Sequence, residues 1–223
     1  RLSVLVGTSP SNVFDYYNDS NFEDTTSLIP DSTESNFLIY GSYNNLYSGL
    51  PPNILHKLFV YGWNNLPYII LKNVIINREE TAINVKIGLD IVTQLNGTYG
   101  YDTVQFSFEN NIIDIKKVTH IGIKLLSHPL SSLYSFEWYS GYMADTSYWQ
   151  WLNHQMIDTV YSSKDSGPVV IASQPLLTIN PGDSVEVYYA LVAGNTFTDI
   201  LVGMQRAEIN YNSLTNIFFT DEN

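Results

Sequence analysis

The stretch Pro181–Gly194, which reads PGDSVEVYYALVAG, carries the clearest strand pattern in this chain of 223 residues. It begins with a Pro-Gly-Asp turn and ends at Gly194. Between these points Val185, Val187, Tyr189 and Leu191 alternate with Ser184, Glu186, Tyr188 and Ala190. A period of two residues is typical of a strand that places one face on a core. The stretch therefore predicts the last central strand of an all-β domain.

Similar strand patterns precede this stretch. Residues 85–91 alternate cleanly, and residues 68–77 form a nearly continuous apolar run that indicates burial on both faces. Further strands are predicted at residues 2–6, 36–40, 54–61, 103–109, 112–115, 119–125, 169–171, 176–179 and 217–219. Strand patterns that recur about every ten residues, separated by turn residues, are typical of a sandwich or barrel. We predict one all-β domain over residues 1–223, built as a two-sheet antiparallel β-sandwich.

Three segments depart from this pattern. Residues 11–35 are rich in Asn, Asp, Ser and Thr without periodicity, which predicts a long surface loop or arm. Residues 133–157 are dense in aromatic side chains, and within them Asp145 is predicted to N-cap a helix that ends near Met156. A short terminal helix is predicted over residues 198–210. The sandwich thus carries one or two short helices near its C-terminal third.

The composition excludes several classes of partner and site. The net charge is −12, from 10 basic and 22 acidic residues, and the longest basic cluster is Lys116-Lys117. Nucleic-acid backbones and anionic membranes require a basic patch, so neither is an expected partner. The chain has no cysteine, which excludes disulfides, thiolate metal sites and cysteine nucleophiles. No apolar run reaches the length of about 18 residues that membrane insertion needs.

Several motifs resemble a known secreted module. They include Val85-Lys86-Ile87-Gly88-Leu89-Asp90, Tyr101-Asp102-Thr103-Val104, Ser166-Gly167-Pro168, Pro181-Gly182-Asp183-Ser184-Val185 and Tyr189-Ala190-Leu191-Val192-Ala193-Gly194. Their order is similar to that in the β-sandwich module that precedes the C-terminal sorting domain of type IX-exported surface proteins in Bacteroidota and related phyla. One motif departs from the family, because its Asp-Trp-Asp keeps only the first residue here, Asp90.

This resemblance implies a location but not an activity. The family's modules are exported, and the sorting domain that follows them is removed during export. The chain ends at Asn223, about where that domain would begin. The resemblance therefore implies an extracellular or bacterial cell-surface protein.

Known catalytic patterns are not recognisable in the sequence. Ser9 follows Gly7-Thr8, but the context of a Ser/His/Asp triad is missing. The four histidines (His56, His120, His128 and His154) lack the spacing of a zinc motif. Glu109, Asp114, Glu137 and Glu186 lie on or near predicted strands, but no paired-carboxylate pattern of a glycosidase is present. We therefore expect a non-catalytic protein, with a sandwich-fold hydrolase as the remotest alternative.

The aromatic segment is the leading candidate for a binding surface. Trp138, Tyr142, Tyr148, Trp149 and Trp151 lie within fourteen residues. Such rings stack on sugar faces or anchor protein interfaces, and they also fill cores. Trp149 and Trp151 stand about 200° apart on a helix, so at least one should be exposed or in a contact. The segment predicts a platform for glycans or for protein partners.

Two further kinds of site are predicted from short patterns. Asp90, Asp102, Asp145 and Asp165 lie in or near turns, where carboxylates could hold one structural Ca²⁺; no other cofactor is expected. Asp followed by Ser or Thr and then an apolar residue or Thr matches the O-glycosylation motif of Bacteroidota exporters. It occurs at Ser32, Thr103, Thr159 and Ser184.

The function expected from the sequence is structural. A non-catalytic surface module would mediate assembly or attachment through protein partners or self-association. The alternative is a carbohydrate-binding module that uses the aromatic segment.

Overall fold

The computed structural model describes residues 1–30 and 32–216, and for Asn216 the backbone alone. The strand predicted at residues 217–219 lies outside the described residues, as does Asp31 of the predicted loop.

Within this range the chain is mostly strand. The strands are β1 (Leu2–Ser9), β2 (Asn12–Asp15), β3 (Asn21–Pro30), β4 (Phe37–Asn44), β5 (Ile54–Gly62), β6 (Tyr68–Asn77), β7 (Ile83–Val92), β8 (Thr103–Ser107), β9 (Ile112–Lys116), β10 (His120–Leu125), β11 (Ser132–Glu137), β12 (Val160–Ser162), β13 (Pro168–Ser173), β14 (Leu177–Ile179) and β15 (Ser184–Gly194). The helices are α1 (Tyr16–Asp19), α2 (Asp145–Leu152) and α3 (Phe197–Asn216), and a 3₁₀ turn spans Leu95–Gly97.

The described strands form two antiparallel sheets. The larger sheet has nine strands, in the order β12-β8-β9-β10-β15-β6-β5-β4-β3. The smaller has six, in the order β11-β13-β7-β1-β2, with β14 also paired to β7. The predicted all-β sandwich is confirmed. Its organisation as one domain stays a prediction.

The strand β15 holds the central place that its sequence predicts, between β10 and β6. Val187 and Tyr189 lie in the core between the sheets, where they meet side chains of the smaller sheet such as Ile87. The opposite face is also covered, because Tyr188, Ala190 and Val192 pack beneath α3. The alternation therefore separates two buried environments rather than a core from solvent.

Helix α3 is longer than the predicted helix over residues 198–210. Ile200, Met204 and Ala207 share its buried face and pack on the outer side of the larger sheet. The close approach of α3 to β15 depends on Gly203, where an added Cβ would lie 2.3 Å from a methyl of Val192. Residues on one face of three successive turns thus fix the helix across the sheet.

The predicted loop over residues 11–35 is wrong for most of its length. Residues 12–15 form β2, residues 16–19 form α1 and residues 21–30 form β3. Every side chain of β3 is exposed, because β3 is the edge strand of the larger sheet and pairs there with β4. A strand held by backbone hydrogen bonds, with neither face buried, has no reason to alternate polar and apolar residues.

Helix α2 begins near the predicted residue but ends early. Asp145 is its first residue rather than its N-cap, which is Ala144. One Asp145 carboxylate oxygen instead accepts a hydrogen bond from the Val13 backbone at 3.1 Å, tying α2 to β2. The helix ends at Leu152, before the predicted end at Met156, because Asn153 leaves helical geometry. The strand β11, just before it, was concealed by the aromatic density of the segment.

Among the described residues, no helix has the length and apolar character needed to cross a bilayer.

Candidate functional site

The aromatic segment does not form one platform. Tyr142, Tyr148 and Trp151 are 1%, 1% and 7% exposed and belong to a core on the outer side of the smaller sheet. Their prediction as a binding surface is wrong, because α2 packs Tyr148 and Trp151 toward the smaller sheet, and Tyr142, which precedes α2, packs against both rings. Trp149 is half-buried against Gly7. Trp138 is exposed and, as shown below, lines a cleft.

The buried rings converge on one carboxylate. Asp90 accepts hydrogen bonds from the hydroxyls of Tyr142 at 2.9 Å and Tyr148 at 2.8 Å. The Arg1 guanidinium pairs with the same carboxylate at 2.6 Å. Burial raises the pKa of Asp90, and the positive charge of Arg1 and these hydrogen bonds oppose that rise. The aromatic core thus encloses the carboxylate of an ion pair with Arg1.

Arg1 connects this core to an exposed cleft. Its guanidinium carbon lies 5.5 Å from the ring centre of Tyr142 and 5.0 Å from that of Tyr17. Both distances are within the range of cation–π attraction. Because the salt bridge to Asp90 fixes the guanidinium, Arg1 forms an ordered edge of the cleft.

The cleft has a volume of about 510 Å³ and combines aromatic with polar side chains. It is lined by Arg1, Tyr17, Val92, Tyr99, Trp138, Asp165 and Ser166. Three of these side chains are exposed aromatic rings: Tyr17, Tyr99 and Trp138 are 54%, 54% and 41% exposed, and the Arg1 guanidinium lies over the Tyr17 ring. The rings come from α1, from the loop before β8 and from the residue that follows β11.

Glu137, the last residue of β11, orders one wall of the cleft. Its carboxylate accepts hydrogen bonds from the backbone N–H groups of Lys164 at 2.7 Å, Ser166 at 2.8 Å and Gly167 at 3.2 Å. Burial favours a higher pKa for Glu137, but these hydrogen bonds outweigh it and the pKa is lowered. Glu137, a carboxylate considered for catalysis from the sequence, here holds the loop that presents Asp165 and Ser166.

Two glycines allow the walls to meet. Gly100 and Gly167 have φ angles of +79° and +89°, which favour glycine. A Cβ on Gly100 would lie 2.4 Å from the Lys164 carbonyl oxygen. The Tyr101 backbone N–H donates to that oxygen at 2.7 Å, and the Tyr101 hydroxyl bonds the Asp165 carboxylate. The loops that carry Tyr99 and Asp165 are therefore joined through their backbones.

This arrangement suits a flat, polyhydroxylated ligand. An aromatic face offers an apolar surface to the C–H groups of a sugar ring, and carboxylate and hydroxyl oxygens satisfy its hydroxyl groups. A few polar groups set among aromatic walls are typical of small-ligand sites.

The structure does not gather the four aspartates predicted to hold calcium. Asp90 binds Arg1 and two tyrosines, Asp145 accepts from Val13, and Asp165 bonds Tyr101. Asp102 accepts from the Thr93 hydroxyl at 2.9 Å, and its other oxygen is buried and has no hydrogen-bond partner among the described residues. In the described part of the chain, no group of three or more His, Cys, Asp or Glu side chains is arranged to hold a metal ion.

Two other carboxylates considered for catalysis have partners outside the cleft. Asp114 pairs with His120 at 2.9 Å. Glu186 pairs with Lys72 at 2.6 Å and accepts from the Tyr188 hydroxyl. Glu109 lies in the turn between β8 and β9.

The predicted O-glycosylation residues differ in accessibility. Thr159 and Ser184 are exposed, whereas Ser32 and Thr103 are half-buried. The Ser32 hydroxyl is also engaged with Ser35 at 2.8 Å. Modification at all four positions stays a prediction.

Sequence reasoning found Trp138 and Asp165 but did not place them together. It missed Tyr17, Tyr99, Arg1 and Ser166 as parts of the site. Tyr17 lay inside the supposed loop, and nothing in the local pattern of Tyr99 distinguishes it from other turn tyrosines. Gly97 and Gly100 indicate a tight loop around Tyr99. This turn was the sequence signal that could have marked the Tyr99 ring as exposed.

Comparison with known proteins gives a fold and no family. No family model matches the chain, and no curated protein matches it. Among solved structures, a bacterial glucoamylase complexed with acarbose superposes with a TM-score of 0.65 at 12% identity. The match covers 96% of this chain and 30% of the glucoamylase chain, so this chain spans less than a third of that protein.

Two further structures match more distantly. An α-galactosidase from Geobacillus stearothermophilus and a polysaccharide lyase have identities of 10% and 8%, and 86% and 89% of this chain is covered. These matches cover 30% and 33% of their chains. Both TM-scores are 0.41, too low to support an argument.

Proposed function

We propose that this chain is a non-catalytic attachment module that binds a neutral glycan in the cleft of Tyr17, Tyr99 and Trp138. The observation that carries the proposal is the presence of three exposed aromatic rings around one cleft whose polar walls are held in place by Glu137 and Asp90. Rigid positioning reduces the conformational entropy that a binding site loses on binding.

The charge of the protein favours a neutral glycan. The net charge is −12, and Asp165 lines the cleft. Arg1, the cation of the cleft lining, already pairs with Asp90. An acidic polysaccharide would meet unfavourable long-range electrostatics, whereas a neutral one would not.

The likeness to glucoamylase supports a carbohydrate-related setting. That enzyme was solved with acarbose, and this chain resembles a 30% portion of it. We propose that this chain is likewise one part of a larger protein. Its sequence motifs resemble a module of surface proteins exported by the type IX system. We therefore propose that this chain is exported in the same way and lies outside the cell or on the bacterial surface.

The non-catalytic assignment is supported by the carboxylates around the cleft. Glu137 accepts hydrogen bonds from three backbone N–H groups, and Asp90 is enclosed by Arg1, Tyr142 and Tyr148. Glycosidic hydrolysis needs two carboxyl groups that reach the same bond. These two carboxylates have structural partners instead, and the third, Asp165 of the cleft lining, bonds the Tyr101 hydroxyl.

Isothermal titration calorimetry with neutral oligosaccharides tests the proposal. Maltoheptaose, cellohexaose, xylohexaose and mannohexaose form the panel, and oligogalacturonate serves as the acidic comparison. We expect at least one neutral oligosaccharide to bind and oligogalacturonate not to bind. Reducing-sugar assays on the same mixtures should show no cleavage.

Matched variants locate the binding. Trp138→Ala should weaken binding by about tenfold or more, a loss of about 1.4 kcal/mol. Phe108→Ala removes an exposed ring that packs on Phe106 outside the cleft, and it should bind as the wild type does. Equal losses in both variants, or no binding to any oligosaccharide, would contradict the proposal.

A second candidate, self-association, rests on the edge strand β3. It extends over ten residues, and Phe22, Leu28 and Ile29 are exposed along it. Long edges with exposed apolar residues pair readily with another strand. Light scattering over a dilution series tests this function. Assembly that persists on dilution and is abolished by Leu28→Lys would favour it, and a monomer at all concentrations would exclude it.

A further inference from the structure

A second cavity opens between the two sheets beside α1 and shares no lining residue with the aromatic cleft. Its volume is about 320 Å³, within the usual range for small-molecule sites. Seven of its twelve lining residues are aliphatic, and they come from β1 and β7 of the smaller sheet and from β5 and β6 of the larger sheet. Tyr16 of α1 and Tyr43 of β4 line it as well.

The two sheets do not close fully on each other at this cavity. Leu2, Leu58, Val60 and Ile69 pack against the core between the sheets, yet each is only half-buried. Apolar surface that water still reaches gains free energy when a ligand covers it. The walls therefore favour an apolar molecule.

One polar pair interrupts this apolar lining. His56 shares the inward face of β5 with Leu58, and Asn73 shares that of β6 with Leu71. His56 Nε2 lies 3.0 Å from Asn73 Oδ1, and Asn73 Nδ2 donates to the Val187 carbonyl at 3.4 Å. Because the donor side of the amide faces that carbonyl, its Oδ1 accepts a hydrogen bond from the Nε2–H of His56.

The other ring nitrogen of His56 is an acceptor that the cavity can reach. Burial lowers the pKa of His56 to about 4, so the ring is neutral near pH 7, and Nδ1 of this tautomer carries a lone pair. Nδ1 has no hydrogen-bond partner in the described part of the chain, and it is not one of the polar atoms sealed from solvent. Since the 6% exposed His56 faces inward and lines the cavity, solvent reaches Nδ1 from that side.

The lining also restricts the charge of a ligand. None of the twelve residues around the cavity is Asp, Glu, Lys or Arg, and His56 is neutral. An ionised molecule would lose its hydration there without gaining a counter-ion.

We propose that this cavity binds a small, uncharged, mostly apolar molecule with one hydrogen-bond donor, such as a medium-chain alcohol, whose hydroxyl donates to Nδ1 of His56. The aliphatic walls supply most of the affinity by burying the ligand carbon atoms. Nδ1 supplies selectivity, because it rewards a donor and offers nothing to a ligand that only accepts.

Three probes test the proposal by NMR titration: 1-hexanol, its isomer methyl pentyl ether, which has no donor, and hexanoate, which is charged. We expect 1-hexanol to shift the methyl resonances of Leu2, Leu58 and Ile69 and to bind about fivefold more tightly than the ether. The ¹⁵N resonance of His56 Nδ1 should move with 1-hexanol and stay in place with the ether. Hexanoate should not bind.

Each part of the proposal can fail separately in the unmodified protein. Methyl groups of the cavity that do not respond to 1-hexanol would overturn the site. Equal affinity for alcohol and ether, or an Nδ1 resonance that does not move, would overturn the role of His56. Hexanoate binding as tightly as 1-hexanol would overturn the restriction to uncharged ligands.

A pair of variants locates the binding. Leu58→Phe enlarges a half-buried side chain of the lining and should weaken binding of both neutral probes by about fivefold or more. Leu46→Phe makes the same change at a position that is 69% exposed in the loop between β4 and β5, and it should bind as the wild type does. Equal affinities of the two variants for 1-hexanol would show that the probe binds elsewhere.

Discussion

Two sets of aromatic rings lie on either side of Arg1 and differ in what surrounds them. Tyr142, Tyr148 and Trp151 are buried against the smaller sheet and enclose the Asp90 carboxylate. Tyr17, Tyr99 and Trp138 remain exposed in the cleft. Composition does not separate the two sets, since both are Tyr and Trp. Their position relative to α2 and the sheet does: the first set is buried, and the second lines the cleft in which we propose that a glycan binds.

The largest expected effect is on folding, in Trp151→Ala. Trp151 is 7% exposed and packs on Phe136 with ring centres 4.3 Å apart. Removing a buried tryptophan leaves a cavity and should lower the free energy of unfolding by about 3–5 kcal/mol. Urea denaturation measures this loss. A change below about 1 kcal/mol would show that the ring is not part of the core.

Tyr148→Phe should have the next largest effect. It keeps the buried ring but removes a hydrogen bond of 2.8 Å to the Asp90 carboxylate. Hydrogen bonds to charged groups contribute about 1.5–3 kcal/mol, and the unfolding free energy should fall by about 2 kcal/mol. The control is Tyr99→Phe in the cleft, where the ring is exposed and unfolding should not change.

A smaller effect is expected from Glu137→Gln, which weakens the loop that carries Asp165 and Ser166. The unfolding free energy should fall by about 1 kcal/mol, because the amide accepts the backbone hydrogen bonds less well than the carboxylate. Glycan binding should weaken with it, since the loop forms a wall of the cleft.

The difference in unfolding free energy between the wild type and Glu137→Gln should depend on pH, because the pKa of Glu137 is lowered in the folded protein. A carboxyl whose pKa is lower in the folded state stabilises the fold above its unfolded value of 4.5, and this contribution is lost as the pH falls through the folded pKa. The gap between the wild type and Glu137→Gln should therefore be full at pH 7 and shrink below pH 4.5. A gap that is constant with pH would show that the ionised carboxylate is not what holds the loop.

The fold could be predicted where the residues of a strand alternate, even though both faces of β7 and β15 are largely buried. The period of two in β7 and β15 was enough to place both strands, and the turn residues between strands predicted a sandwich. Prediction was wrong for β3 because all of its side chains are exposed, so backbone pairing with β4 leaves no trace in hydropathy. It was incomplete for β11, where Tyr134 and Phe136 share one face of the strand but were grouped with the aromatic segment that follows.

The site could be predicted only in fragments. Trp138 was part of the predicted platform, and Asp165 was found as a turn carboxylate. Their meeting with Tyr17 and Tyr99 depends on the pairing of β1 with β7, which brings Arg1 to Asp90, and on the contact between Gly100 and the loop over residues 164–167. Such long-range contacts arise from tertiary structure, and no local spacing encodes them.

The most direct test compares one residue from each ring set in the same two assays. Trp138→Ala and Tyr148→Phe are titrated with the best neutral oligosaccharide and unfolded with urea, beside the wild type. We predict that Trp138→Ala loses about tenfold or more in affinity with unfolding changed by less than about 0.5 kcal/mol. Tyr148→Phe should lose about 2 kcal/mol of stability and keep its affinity under folding conditions. Unchanged glycan affinity in Trp138→Ala would contradict the account.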